Sequence, residues 1–268
     1  MSIPKTIHYC WFGGNPLPEL AQKCIASWKE YCPDYEIIEW NESNFDFSDC
    51  TYAREAYEAK KWAFVSDYAR LKIIYEYGGI YLDTDVELLA SLDSLLNNDC
   101  FMGIEKSNYI ATGLGYGAIP KFNIIKELLD LYFHLSFVNT DGTFDLTPCP
   151  VITTDLFQKK GFVKEDKTQI IDNTTIYSSE YFCPLDYNYR TCQITENTIS
   201  IHHYNASWLS TEEKYTHALY IKLLKHFSPK TSNRLSLMIG FAKFRGLLRM
   251  PKAMIDYKLN NLKKNTQE

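Results

Sequence analysis

At 268 residues, 46% hydrophobic and 23% charged, the chain is long enough to bury its own core and too apolar to be disordered through most of its length. No uninterrupted apolar run reaches the ~18 residues of a membrane span, and the amino terminus lacks the basic, apolar and small-residue blocks of a signal peptide, so a cytosolic protein is expected. The net charge of −5 conceals an asymmetry: residues 214–268 hold twelve Lys/Arg against two acids, +10, which leaves −15 for residues 1–213. A body over 1–213 and a basic helical extension over 214–268 are therefore expected.

Near the start, "KTIHYCWFGG" is rich in β-branched and aromatic residues and stops at two glycines, as a buried first strand running into a loop does. A helix follows over about 17–31, and "YEIIEW" reads as a second strand, so the opening is a β-α-β unit of a parallel sheet. The stretch from about Ala53 to Tyr77 has neither Gly nor Pro and ends at Gly78-Gly79; it predicts one long helix. At 100° per residue Trp62, Val65, Ala69 and Ile73 form one stripe, with Ser66, Asp67 and Arg70 on its flank. From Ile80 to Glu87 the alternation predicts a single strand, with Tyr81, Asp83, Asp85 and Glu87 on one face. Further on, "FMGIE" suggests a strand, 122–135 a helix, "TTIYSSEYFCPL" short extended pieces, and "TISIHHYNASW" a strand followed by a turn.

Eight cysteines, at 10, 24, 32, 50, 100, 149, 183 and 192, include no Cys-x-x-Cys pair, so neither a zinc knuckle nor a redox motif is suggested and reduced, buried thiols are expected. The pair Asp83-x-Asp85 admits three readings: a solvated turn, the aspartate motif of a phosphohydrolase, or a seat for a divalent cation. Two close carboxylates need a cation, a basic side chain or water to offset their repulsion. An apolar strand leading into the pair argues for a buried site over an open turn, and Glu87, where a phosphatase needs another residue type, argues against the second reading.

The run "AFVSDYARLKIIYEYGGIYLDTDV", Ala63 to Val86, resembles the sugar-binding region of the glycosyltransferases named for their Asp-x-Asp motif, bacterial capsule enzymes among them. More distantly it is similar to the glucosyltransferase domains of clostridial toxins. The likeness extends to "IPKTIHYCWFGG" upstream and "ISIHHYNASW" downstream, so three ordered blocks span most of residues 3–208.

This resemblance implies an α/β protein of the GT-A type, with a Rossmann-like nucleotide-sugar-binding domain, a UDP-hexose donor and Mn²⁺ or Mg²⁺ as cofactor. Trp11 would stack on the base, with His8, Tyr9 and Cys10 beside it, and Asp67 and Arg70 would grip the sugar. Asp83 would meet the ribose, the sugar and, through water, the metal; Asp85 would ligate the metal directly, and Tyr81 would line the diphosphate pocket. The third ligand is expected in the last block, where spacing to Ser207 favours His202 over its neighbour His203. Ser207 and Trp208 would close over the phosphates. Where the family often has Gly-Pro near its catalytic centre, this chain has Cys149-Pro150.

Retention of configuration is implied as well. Without an evident nucleophilic carboxylate in the motifs, front-face attack is the preferred route and a covalent intermediate the alternative. The expected acceptor is a saccharide, lipid-linked or free, in capsular or cell-surface polysaccharide synthesis, with galactose slightly preferred over glucose. The basic extension reads equally as a helix on an anionic membrane surface, which would place the enzyme on the inner face of the cell membrane, or as a helix packed on the acidic body. No nucleic-acid motif accompanies its charge. A catalytically silent nucleotide-sugar or glycan-binding protein and a magnesium phosphohydrolase are the competing functions.

Overall fold

A computed structural model describes residues 2–186, 191–204 and 211–246. The chain divides into two compact units, Met1–Tyr187 with Thr191–Asn205, and Asn188–Arg190 with Ala206–Glu268. In the first, the order is β1 (Thr6–Cys10), α1 (Glu19–Tyr31), β2 (Glu36–Trp40), α2 (Thr51–Glu58), α3 (Trp62–Tyr77), β3 (Gly79–Tyr81), β4 (Val86–Leu88), β5 (Cys100–Gly103), β6 (Tyr116–Ala118), α4 (Asn123–Phe133), α5 (Cys149–Lys159), β7 (Gln169–Ile171), β8 (Thr174–Tyr177), α6 (Ser179–Phe182) and β9 (Ser200–His202). The described part of the second holds α7 (Thr211–Leu223) and α8 (Pro229–Arg245).

Seven strands form one sheet in the order β2-β1-β3-β6-β5-β8-β7, while β4 and β9 pair separately. β1 runs parallel to β2 and β3, as the opening β-α-β reading expects, and β5 runs parallel to β8. Among the described strands of this sheet, β6 and the edge strand β7 are the ones antiparallel to their neighbours. Both faces are apolar because the two-residue period sends alternate side chains to opposite sides. Ile7, Tyr9, Ile80 and Phe101 join the core on the side of α1, while Cys10, Tyr81, Cys100 and Met102 join the core built with α2, α3 and α4. The α/β architecture expected from the sequence is therefore present. All eight cysteines are free and seven are buried.

Three expectations need correction, and the first two corrections bear on the site. The helix over 53–77 is two helices, broken at Lys60, whose φ of 57° is left-handed. Lys61 N–H reaches back to Ala56 O and Lys60 N–H to Tyr57 O, the paired bonds of a Schellman cap, here closed by a lysine where glycine is usual. Nor is Ile80–Glu87 one strand. The chain leaves the main sheet after Tyr81, turns with Val86 N–H donating to Asp83 O at 3.0 Å, and enters the small sheet at Val86. The aspartates thus lie in a turn between two sheets, since the partners of β3 and β4 differ. In addition, α6 occupies part of the segment expected to be extended.

Helix α1 anchors that turn from its far side. Trp28 Nε1 donates to Val86 O at 2.7 Å and Leu88 N–H donates to the Ser27 hydroxyl at 2.9 Å. The glycine pair is required by space as well as by φ, which is 69° at Gly78 and 94° at Gly79. A Cβ on Gly79 would stand 2.8 Å from both His8 Nε2 and Thr6 O.

Candidate active site

Helix α3 brings Asp67 and Arg70 inward. Both are buried, and Arg70 Nη2 donates to Asp67 Oδ1 at 2.6 Å. Arg70 Nη1 faces Asp83 Oδ2 at 3.5 Å, and the guanidinium lies 5.0 Å from the centre of the Tyr81 ring. The Arg70 carbonyl accepts from the Tyr116 hydroxyl at 2.7 Å. Exposed, an i,i+3 ion pair contributes a few tenths of a kcal/mol; buried, it has to offset the desolvation of both groups, and Asp83 supplies Arg70 with a second counter-charge. Burial pushes the Arg70 pKa down, but Asp83 and Asp67 outweigh it and the guanidinium stays charged. Asp67 is pushed up by burial against the pull of Arg70.

The turn after β3 presents Asp83 and Asp85, and the antiparallel pairing Val86↔His202 lays His202 against them. His202 Nε2 is 3.1 Å from Asp85 Oδ1, and one ligand atom from each of Asp83, Asp85 and His202 falls within a 4.8 Å group. A spacing near 3 Å suits a hydrogen bond; it is also the separation of adjacent ligands about 2.1 Å from an octahedral ion. Burial lowers the His202 pKa, yet the charge of Asp85, its hydrogen bond and Asp83 behind it raise it overall. Burial raises Asp83, opposed by Arg70 and reinforced by Asp85. Among the described residues His202 Nδ1 is buried without a hydrogen-bond partner.

Asp67, Asp83 and Asp85 set three carboxylates around the one guanidinium of Arg70, an excess of acid that the imidazole, its pKa raised, offsets in part. A divalent cation would balance it, and two carboxylates with one imidazole form a reasonable donor set. The choice between the two histidines also has a geometric answer: His203 turns the other way, its Nε2 2.7 Å from Glu87 Oε2, while Glu87 holds Lys23 at 2.9 Å.

The remaining expected residues are placed as follows. Tyr81 is buried, its phenol raised by burial and by Asp83. Cys10, on the same face of the sheet, is buried and its thiol pushed up to about 12. Tyr9 donates to Glu39 Oε2 at 2.7 Å. Trp11 is partly exposed, its indole N–H on Asn15 O at 2.5 Å, and the loop after it opens on a cavity lined by Gly13, Gly14, Glu42, Tyr57 and Trp62. His8 points into the protein: Trp40 Nε1 donates to its Nδ1 at 3.1 Å, so the proton sits on Nε2, which donates to Gly78 O at 3.1 Å. Both ring nitrogens are thereby used, and the His8 side chain is a fold element. Ser207 and Trp208 lie outside the described residues.

Two contributors, Gly113 and Tyr116, were not anticipated, and a third, Cys149, was marked only as a departure from the family's Gly-Pro. Gly113 passes so close that a Cβ there would collide with Asp83 Oδ2 and come within 3.2 Å of Arg70 Nη1. The glycine-rich "GLGYG" was the available signal for such an approach. Tyr116 buttresses Arg70, and Cys149, at the start of α5, lies beside Asp67 and 3.6 Å from the Thr112 hydroxyl. For Tyr116, nothing local in the sequence distinguishes a site neighbour from a core residue.

Residues 18–102 match the family model described as the glycosyltransferase sugar-binding region containing the DXD motif. The chain is 35% identical over 100 residues to inositol phosphoceramide mannosyltransferase 3 of Schizosaccharomyces pombe, a match covering 36% of this chain and 28% of the relative. It is 26% identical over 200 residues to lactosylceramide 4-alpha-galactosyltransferase of Mus musculus, covering 70% and 54% respectively. The chain thus spans about half or less of the length of these curated relatives. Among solved structures, the PaToxG glycosyltransferase superposes with a TM-score of 0.45 at 19% identity, over 59% of this chain and 70% of that one. The galactosyltransferase LgtC superposes with a TM-score of 0.42 at 14% identity, over 86% and 95%.

Proposed function

We propose that this chain, which carries the sugar-binding region of the DXD glycosyltransferases, is a metal-dependent retaining hexosyltransferase that uses a UDP-hexose. The observation that carries the reading is the convergence of Asp83, Asp85 and His202 within 4.8 Å beside the buried Asp67–Arg70 pair. Three carboxylates, Asp67, Asp83 and Asp85, gather around the one guanidinium of Arg70 at a turn between two sheets, a donor set that a divalent cation suits. Asp83, Asp85 and His202 would hold the ion, and the nitrogen donor favours Mn²⁺ over the oxygen-seeking Mg²⁺. When bound, it supplies positive charge at the diphosphate leaving group.

The chain's own residues do the rest. Asp67 and Arg70, locked to each other and to Tyr116, offer preorganised polar groups to the sugar hydroxyls. Trp11 and the cavity beyond it would take the nucleoside. The anomeric C–O bond to phosphate breaks, the acceptor oxygen bonds to the same face, and its proton passes to the departing phosphate. Each carboxylate of the group is already engaged, Asp67 and Asp83 with Arg70 and Asp85 with His202, which supports front-face attack over a covalent intermediate. Two relatives named for ceramide acceptors support a lipid-linked saccharide acceptor, and the longer match supports galactose. Capsular or cell-surface polysaccharide synthesis is the process this reading assigns.

The test is nucleotide release from UDP-galactose, UDP-glucose and a mannose donor, with Mn²⁺ and with chelator. Release from a UDP-hexose that chelator abolishes supports the proposal. Release unchanged in Asp85→Asn would overturn the metal role, and binding without turnover would make the protein a nucleotide-sugar receptor.

A further inference from the structure

The antiparallel register of the small sheet sets His202 opposite Val86 and Ser200 opposite Leu88. Residues directly opposite each other point to one face, so these four side chains share a face, and all four are buried. Val86 and Leu88 belong to the apolar core on the α1 side of the main sheet. Two polar groups thus stand in an apolar layer, and among the described residues neither the Ser200 hydroxyl nor His202 Nδ1 has a hydrogen-bond partner.

Thr198, two residues before Ser200, shows what a hydroxyl serving the fold does. It is buried as well, yet its oxygen donates to Glu180 O at 2.9 Å and accepts Thr195 N–H at 2.9 Å. The Ser200 hydroxyl ties down no backbone group. A buried hydroxyl without a partner lowers stability, and alanine would fill nearly the same space without that cost. Packing alone therefore gives no reason for a serine at 200.

The histidine gives one. His202 Nε2 lies 3.1 Å from Asp85 Oδ1, beside Asp83. A neutral imidazole offers a lone pair at one ring nitrogen only when the proton sits on the other, and an acceptor for that N–H fixes the ring. For Nε2 to serve as a ligand, the proton belongs on Nδ1, the buried nitrogen. Ser200 and His202 are two residues apart on one strand face, about 7 Å at Cα. That separation is long for a direct bond between such short side chains and suits one bridging water, which needs at least two polar partners.

We propose that Ser200 is a positioning residue of the metal seat: through one shared water its hydroxyl accepts from His202 Nδ1–H and fixes the tautomer whose Nε2 lone pair faces a cation held by Asp83 and Asp85. This role rests on the metal-dependent reading of the seat and adds to it the group that orients the histidine.

The test is a titration of the full chain with Mn²⁺, followed by electron paramagnetic resonance, with thermal unfolding of the metal-free protein alongside. Wild type should bind Mn²⁺ with imidazole nitrogen coupling in the pulsed spectrum, and Asp85→Asn should not bind. Ser200→Ala should raise the Mn²⁺ dissociation constant about tenfold and weaken the nitrogen coupling. Its metal-free unfolding temperature should be kept, since the hydroxyl holds no part of the backbone. Ser200→Thr, which retains a hydroxyl, should stay within about threefold of wild type. Wild-type affinity in Ser200→Ala beside lost binding in Asp85→Asn would overturn the positioning role and leave the metal seat standing. A folded Ser200→Thr that loses as much affinity as Ser200→Ala would overturn it too. Absence of Mn²⁺ binding by wild type would overturn the metal-dependent reading and this role together.

Discussion

His202 and His203 are adjacent, and each meets a carboxylate of the turn and strand opposite, His202 with Asp85 and His203 with Glu87. The two pairs nevertheless differ in kind. Glu87 has Lys23 as well as His203; burial raises its pKa, the two hydrogen bonds lower it, and the net shift is downward, as for a satisfied ion pair at a half-exposed position. Asp85 has His202 but also Asp83 close by, with Arg70 already shared with Asp67. The first arrangement sets one carboxylate against one ammonium and fastens α1 to β4; the second crowds three carboxylates around one guanidinium. Similar residue pairs one strand position apart thus become a clamp and a candidate metal seat, because the neighbours contributed by other elements differ.

The largest effect should come from dismantling the seat while sparing the clamp. Asp85→Asn is expected to lower metal-dependent nucleotide release by about 10³-fold, whereas Glu87→Gln should stay within a few-fold of wild type in the same assay. Equal losses would erase the distinction. Removing the cation that the seat shares with α3 tests stability instead: Arg70→Met leaves Asp67 and Asp83 uncompensated and should destabilise the fold by about 3 kcal/mol, read from denaturant unfolding at neutral pH.

A third histidine sharpens the contrast, since it has no carboxylate at all. Burial depresses the His8 pKa to about 4, against a weaker upward pull from the Gly78 carbonyl. Above pH 6.5 neither folded nor unfolded chain protonates it. Below that the unfolded chain takes up a proton the folded one refuses, so stability falls as pH drops from 6.5 toward 4. The full loss is about 3 kcal/mol. His8→Gln should flatten this part of the profile, and an unchanged slope would remove the assignment.

Smaller effects probe the shape of each group. Gly113→Ala pushes on Asp83 and Arg70 and should raise the Mn²⁺ concentration at half-maximal release about tenfold while leaving α3 and the sheet folded. Lys23→Met, removing the exposed half of the clamp, should cost about 0.5 kcal/mol, and less at high salt.

Much of this was readable along the chain. The β-α-β opening, the glycine stop and the Asp-x-Asp pair are local patterns, and their elements appear within a few residues of expectation. What misled was also local. Lys60 adopts a conformation usually assigned to glycine, so no residue announced the break between α2 and α3. The alternation from Ile80 to Glu87 continued across a turn, because alternating burial constrains faces and does not name the strands that pair.

By itself the sequence determined which residues could do chemistry: two aspartates at the end of an apolar strand, an acid and a base on one helix flank, and two adjacent histidines far downstream. Only the tertiary structure decided which of them meet. The antiparallel register of β4 and β9 faces His202 toward Asp85 and sends His203 to Glu87, and the passage of Gly113 over Asp83 and Arg70 closes one side of the group. The reason is physical: side-chain periodicity is a property of a single segment, whereas register, backbone approach and the sum of buried charge are properties of segments that only folding brings together.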